Sequence, residues 1–268
     1  MNVIKSKNNN IIKDLIKIRD NAKSRNDKSL FYVEGERIFK DTPKAYIDSI
    51  FIKESEYNYF LKYLSDKELE KTYIVGNNLF DYIKDTVNSQ GIIATVKYNM
   101  LQNIDDSVFN KIKNCIVLDS INDPGNLGTI IRIAEAANIN LIILANNCCS
   151  VFNPKVIRSS MSSIFRVDLY KATDIKKIIN EFKIHKFDIY ATSLQDNSVT
   201  YSSVKFNNRN LIVFGNEANG VSKEILESIN NHIVIPMKGK IESLNVSVSV
   251  AVICYEIMRQ NNFYETES

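Results

Sequence analysis

The 268-residue chain has no tryptophan and only eight glycines, four prolines, four cysteines and two histidines. Each scarcity removes a class of protein. Cys115, Cys148, Cys149 and Cys254 include no CxxC pair, so they form neither a disulfide frame nor a zinc site and read as reduced thiols. With only His185 and His232, most histidine-based metal centres and catalytic triads are excluded, and no metal is expected. No apolar run approaches the roughly 18 residues of a membrane span. The start, MNVIKSKNNN, lacks the apolar centre of a signal peptide. The expectation is a soluble, cytoplasmic protein with no membrane partner.

What is present suits a globular chain: 44% hydrophobic and 24% charged residues are enough to build a core. At roughly 100–200 residues per domain, the length allows one or two domains. The net charge of +3 is unevenly placed. Residues 1–28 hold eight bases (Lys5, Lys7, Lys13, Lys17, Arg19, Lys23, Arg25, Lys28) against three acids (Asp14, Asp20, Asp27), a net +5, so the other 240 residues carry −2. A basic first helix on a nearly neutral body fits contact with nucleic-acid phosphates, with Lys13, Lys17 and Lys23 as candidates. A solvated lysine-rich face accounts for it as well.

Hydrophobic periodicity orders the elements. Ile11, Leu15, Ile18 and Ala22 fall at helical spacing. Strands are expected at Leu30–Val33, Ile47–Ile52, Thr72–Val75 and Ile92–Lys97, with helical stretches at Glu36–Lys40, Tyr57–Leu64 and Leu79–Lys84. The polar region from Tyr98 to Lys113 reads as a junction between domains. A second alternation follows, with strands near Cys115–Leu118, Leu141–Leu144, Phe165–Leu169, Ile189–Thr192, Leu211–Phe214 and Ile233–Ile235. Its helices are expected at Thr129–Ala137, Pro154–Met161, Asp174–Phe182, Ser222–Ile229 and after Leu244. Such alternation predicts α/β architecture with largely parallel sheets in both parts. Asn245–Ala251, NVSVSVA, alternates like a strand. Ser243, Ser247 and Ala251 nevertheless repeat every four residues and the pattern runs on to Met258, so a helix is expected.

Five of the eight glycines (Gly125, Gly128, Gly215, Gly220, Gly239) lie where second-domain strands are expected to end. Ligands of open α/β sheets bind beyond those carboxyl ends. Three segments therefore converge on one expected pocket: DPGNLGTIIR (123–132), FGNEANGVS (214–222) and IPMKGKIESLN (235–245). The first is not GxGxxG, and Asn146 and Asn147 stand where a ribose-gripping acid would be, which disfavours a nucleotide-dependent oxidoreductase. Neither a P-loop GxxxxGK[ST] nor a GxSxG elbow occurs. Alone, DPGNLG also reads as an ordinary turn before a helix. Arg132 lies among Ile130, Ile131, Ile133, Ala134 and Ala137. Turned inward it needs partners, which Glu217 and Asn126 would supply; otherwise it lies on the helix's solvent edge.

These residues resemble a known family. Asn126-Leu127-Gly128 with Arg132, Ala134 and Ala136, then Phe214-Gly215-Asn216-Glu217 with Gly220, then Ile235-Pro236-Met237 with Ser243-Leu244-Asn245-Val246-Ser247, are similar to the three signature motifs of the SpoU/TrmH RNA 2′-O-methyltransferases of the SPOUT class. The likeness covers roughly residues 110–260. Phe31, Val33-Glu34-Gly35 and Gln90-Gly91-Ile92 are similar to the small ribosomal-protein-like α/β domain that often precedes it. The resemblance implies an RNA-binding domain at 1–98, a linker at 99–112 and a methyltransferase domain at 113–268 with a parallel sheet, a trefoil knot and a homodimeric assembly.

It further implies transfer of a methyl group from S-adenosylmethionine to a ribose 2′-hydroxyl of RNA, the first domain favouring large-subunit (23S) ribosomal RNA. Two alternatives stay open: a non-enzymatic RNA-binding protein that keeps the fold, and a tRNA-directed 2′-O-methyltransferase. By this likeness Gly215, Ile235 and Leu244 hold the cofactor, Arg132 acts on the ribose hydroxyl, and Asn126, Glu217, Ser243 and Asn245 surround it. Arg158 and Arg166 are candidates for RNA phosphates or for surface ion pairs. Asn138 and Ser162 stand where the family usually has glycine.

Overall fold

A computed structural model describes residues 2–97, 100–145 and 147–261. Met1, Tyr98, Asn99, Asn146 and residues 262–268 lie outside the described residues; they include parts of the expected linker and the end of the expected second domain. The chain divides into two compact units, Met1–Asn99 with Ser150–Phe165, and Met100–Cys149 with Arg166–Ser268.

In chain order the first stretch holds β1 (Val3–Ile4), α1 (Asn10–Asp20), α2 (Ala22–Lys28), β2 (Leu30–Glu34), α3 (Glu36–Asp41), β3 (Ile47–Lys53), α4 (Tyr57–Leu61), α5 (Asp66–Leu69), β4 (Thr72–Val75), α6 (Asn77–Ile83) and β5 (Ile92–Lys97). There follow α7 (Asp106–Lys111), β6 (Asn114–Leu118), α8 (Pro124–Ala136), β7 (Leu141–Leu144), α9 (Pro154–Ser160), β8 (Asp168–Lys171), α10 (Ile175–Ile184) and β9 (Asp188–Thr192). The last are β10 (Val199–Thr200), β11 (Asn210–Phe214), α11 (Lys223–Leu226), β12 (Asn231–Val234) and α12 (Val246–Gln260).

The first unit's sheet runs β1-β4-β3-β5-β2. β1, β4 and β3 are parallel, but β5 is antiparallel to both β3 and β2, which corrects the expectation of a largely parallel sheet. Residues 84–91 return the chain to the carboxyl end of β3, where Lys53 N–H donates to Gly91 O at 2.9 Å, and β5 therefore starts from the far end. Apolar periodicity carries no strand direction. α1 buries Ile12, Leu15 and Ile18, a stripe at helical spacing, in a core with Tyr32, Phe51, Leu79 and Phe80.

Ser150–Phe165, expected in the second domain, packs in the first unit. α9 lies against β2, and Phe152 stacks on Phe31 at 5.6 Å with 15° between the rings. Phe165 also meets Phe31, at 6.1 Å, and sits in a 3-10 turn, so the strand expected from Phe165 begins only at Asp168.

The second unit's sheet is parallel throughout, in the order β10-β12-β9-β11-β6-β7-β8. Residues 100–112 are not a free linker. Leu101 N–H donates to Leu169 O at 2.9 Å, and α7 inserts Phe109 and Ile112 into the core beside Phe182 and Phe187. A few apolar anchors in a polar stretch suffice, since each fully buried large side chain contributes about 1.5–3 kcal/mol.

α8 begins five residues before the expected Thr129, because Asp123 caps it (Asn126 N–H to Asp123 Oδ1, 2.8 Å) and Pro124 suits its first turn. Gly125 and Gly128 thus lie inside a helix. α12 is a helix, as its length and spacing predict; Asn245 caps it by accepting from Ser247 N–H at 2.9 Å. Its buried stripe is Val246, Ser247, Val250, Ile253, Cys254 and Ile257; of the small-residue face Ser247 is buried and Ala251 half-buried.

Candidate active site

Strand order turns at the adjacent pair β11 and β6: β7 and β8 lie beyond β6, β9 and β12 beyond β11. A crevice forms where loops leave such a pair in opposite directions. The loop after β6 starts with Asp119, 1% exposed, whose backbone N–H donates to Phe214 O at 2.8 Å. Its carboxylate accepts from Ser222 N–H at 2.7 Å and Ser120 Oγ at 3.2 Å, tying the β6 loop to the β11 loop. Sequence reasoning missed Asp119; its signal was an acid directly ending an apolar strand before DPGNLG.

The β11 loop is a compact turn. Asn216 Oδ1 accepts from Ala218 and Asn219 N–H at 3.0 and 2.7 Å, and Gly220 N–H returns to Asn216 O at 2.9 Å. Gly220 has φ +67, and a Cβ on Gly215 would lie 1.9 Å from the Gly220 carbonyl carbon. Only glycine lets the two backbones approach so closely.

Glu217, held out by that turn, joins the three motif segments. Its Oε1 accepts from Asn126 Nδ2 at 2.8 Å, Asn245 Nδ2 at 3.2 Å and Val246 N–H at 3.2 Å. Asn245 Nδ2 also donates to Asn126 Oδ1 at 3.0 Å. Glu217 and Asn126 therefore satisfy each other, and neither pairs with Arg132.

Arg132 lies exposed on α8 and makes no hydrogen bond or ion pair among the described residues. It sits six residues beyond Asn126, about 9 Å along the axis and 240° around it, so the two side chains leave different faces. Of the two placements the sequence left open, Arg132 takes the solvent edge, away from Glu217 and Asn126.

Beside the Glu217 cluster lies a cavity of about 330 Å³, within the range of small-molecule sites. Gly215, Glu217, Ile235, Ser243 and Leu244 line it; Asn126, Asn245 and Arg132 do not. Among the described residues its ionisable lining is Glu217 and Glu242, with no lysine or arginine. Two carboxylates without a base favour a cationic ligand and disfavour phosphates. Glu242 was also missed; an isolated acid in a loop carries no sequence signal.

The cysteine pair sits near this crevice: Cys149 N–H donates to Ile121 O at 2.9 Å, and Cys148 Sγ lies 3.2 Å from Leu118 O. All four cysteines are free, and burial pushes both thiols up, Cys149 to about 11.

The residues expected at RNA divide. Lys13 and Lys23 are exposed without ion pairs among the described residues, while Lys17 lies 3.9 Å from Asp14. Arg19 and Arg25 are structural: Arg19 donates to Ile83 O at 2.8 Å, and buried Arg25 caps α1 through Ile18 O and Arg19 O at 3.0 and 2.8 Å. Arg158 pairs with Asp85, and Arg166 with Glu135 at 2.7 Å.

Comparison with known proteins decides the family. The SpoU rRNA Methylase family model matches residues 113–255, more than half of the chain. The chain belongs to the SpoU rRNA methylase family. The 23S rRNA (guanosine(2553)-2′-O)-methyltransferase RlmP of Bacillus subtilis is 27% identical over 96% of this chain and 99% of its own length. An uncharacterized tRNA/rRNA methyltransferase of Borreliella burgdorferi is 31% identical over 80% of this chain and 98% of its own. The AdoMet-bound rRNA methyltransferase of Sinorhizobium meliloti superposes with a TM-score of 0.83 at 23% identity, over 96% of this chain and 97% of that one. That likeness establishes the α/β fold with its parallel sheet.

Proposed function

We propose that this protein transfers the methyl group of S-adenosylmethionine to a ribose 2′-hydroxyl of large-subunit (23S) ribosomal RNA. The observation that carries the reading is the acid-lined cavity beside the Asn126–Glu217–Asn245 cluster. The RlmP relative, whose name specifies this reaction, aligns along the first unit as well as the second.

The cavity fits the methyl donor. S-adenosylmethionine brings a cationic sulfonium and hence an already activated methyl. Glu217 and Glu242 favour that charge, while Gly215, Ile235 and Leu244 offer loop backbone to hold the rest. The protein's remaining work is alignment, worth several kcal/mol when well done. Glu217 fixes Asn126 and Asn245, the first turns of α8 and α12, in one place. A guanidinium offers donors and a fixed positive charge, so Arg132 is not the proton acceptor here. Its part is to stabilise negative charge developing on the ribose oxygen.

Arg132 lies outside its own chain's cavity, and a homodimer answers this. α12 packs on α8 and leaves Val248 and Tyr255, 45% and 44% exposed, on an open apolar face. Pairing of that face between two copies puts Arg132, on one of the same helices, at the subunit boundary. The reading also includes a trefoil knot formed after β12, whose following helix packs back so that Gln260 Oε1 accepts from Phe206 N–H at 2.9 Å. The first unit serves as a ribosomal-protein-like RNA-binding domain. No helix among the described residues is long and apolar enough to cross a membrane, in keeping with a cytoplasmic enzyme.

Calorimetry with S-adenosylmethionine and transfer of its labelled methyl into 23S rRNA, with tRNA as comparison, test this. Binding followed by label in a 2′-O-methylated nucleoside of 23S rRNA is expected. Label in tRNA alone overturns the substrate; absence of cofactor uptake overturns the activity.

A further inference from the structure

The first unit holds a cavity of its own, about 170 Å³ in volume, room for on the order of ten waters. Its walls include Ile38, Pro154, Ile157 and Met161, and its polar lining includes Arg37 and Gln90. The acids nearby are already used. Glu34 accepts from Tyr32 OH at 2.8 Å, Asp85 N–H at 2.7 Å and Thr86 Oγ1 at 2.5 Å, and Asp85 pairs with Arg158. Gln90 Oε1 accepts from Glu36 N–H at 2.7 Å, which leaves its amide hydrogens as donors. Arg37 is exposed and has no partner among the described residues. An apolar slot whose free polar groups are the donors of Arg37 and Gln90 and the Ser162 hydroxyl, which can also donate, fits a flat, acceptor-edged ring.

Past Glu36 the surface becomes aromatic and basic. Tyr59 OH donates to Glu36 at 2.8 Å; Lys40 lies 3.9 Å from the Tyr63 ring centre, and Lys62 lies 4.3 Å from that of Tyr59. Tyr59 is 42% exposed, and Lys62 has no carboxylate partner among the described residues. Lys40 is paired with Glu36, so the exposed Tyr59 ring with the unpaired Lys62 over it forms the ledge on which a nucleic-acid base stacks.

We propose that this slot takes an unpaired guanine of the RNA substrate, outside the methylated nucleotide, with Arg37 donating to its O6 and N7 edge and the next bases resting on the Tyr59 ledge. Arginine paired with that edge is the commonest specific contact to guanine. The inference rests on the RNA methyltransferase reading and adds a second, sequence-reading site.

The test compares binding of an ordinary 23S rRNA transcript and one made with 7-deazaguanosine, which lacks the N7 acceptor. The parent protein is expected to bind the modified transcript about tenfold more weakly. Arg37→Ala loses about tenfold on the ordinary transcript, is indifferent to the replacement, and keeps its cofactor affinity and its kcat at saturating RNA while KM rises. Its salt slope stays parental, whereas a lost phosphate contact lowers the slope by about one. Ile38→Trp, which fills the slot, behaves likewise; Arg37 is an exposed, partnerless side chain, so its variant remains decisive if the tryptophan variant misfolds. Parental affinity in Arg37→Ala, or equal sensitivity of parent and variant to 7-deazaguanosine, overturns the inference. A parent protein that binds neither transcript overturns the functional reading itself.

Discussion

The side-chain amide of Asn245 donates to Asn126 Oδ1 at 3.0 Å across 119 positions of sequence, and both amides donate to one oxygen of Glu217. Glu217→Ala removes the acceptor common to three donors. At this exposed position the expected cost is about 1 kcal/mol in thermal unfolding, with methyl transfer reduced about 100-fold through lost alignment. Parental turnover in this variant would show that the cluster lies outside the site.

Arg132 should separate stability from activity. An exposed, unpaired side chain changes stability by less than about 0.5 kcal/mol when removed, so Arg132→Ala should unfold with the parent. Its methyl transfer should fall about 10²–10³-fold, the scale for a group facing developing charge. Arg132→Lys with near-parental turnover and normal cofactor binding would remove any special part for the guanidinium.

Gly215 and Gly220 are five residues apart and differ in kind. A Cβ at 215 collides with backbone at 1.9 Å, whereas one at 220 meets nothing within 4 Å and is opposed only by φ +67. Gly215→Ala is expected to cost about 3 kcal/mol or prevent folding, and Gly220→Ala about 1–2 kcal/mol. Denaturant midpoints of the two variants check the order.

Ser162 adopts φ 73 directly after Met161 at φ 47, and its buried Oγ has no partner. Ser162→Gly relieves the left-handed strain and removes an unsatisfied hydroxyl, against a larger loss of backbone entropy. The net expectation is a gain of about 1 kcal/mol in thermal unfolding. Asn138, at φ 53, should gain less from glycine, since asparagine tolerates that region.

Burial raises the Cys149 thiol to about 11 and shifts Cys148 in the same direction. At pH 8 Cys149 is then almost wholly protonated, and the reactive thiolate is scarce. Alkylation by iodoacetamide should run about 100-fold slower than for a free cysteine, and accelerate until the pH passes the raised value. Rapid labelling of the folded protein at pH 7 would contradict the burial.

Much of this protein was legible in its residues. Leu141–Leu144 is a strand because it is short, apolar and bounded by polar turns. NVSVSVA is a helix because Asn245 caps it and the apolar pattern outlasts a strand. The signature segments around Asn126, Glu217 and Asn245 identified the family, since their order and residue types survive in one dimension. Tertiary structure alone placed Arg132 apart from Glu217, ran β5 antiparallel to its neighbours, drew Ser150–Phe165 into the first unit and anchored 100–112 through Phe109. The reason is physical: capping, periodicity and backbone allowance act within a few residues and are written locally. Strand direction, packing partners and the choice of which donor satisfies a carboxylate depend on competition among groups far apart in the chain, which only folding resolves.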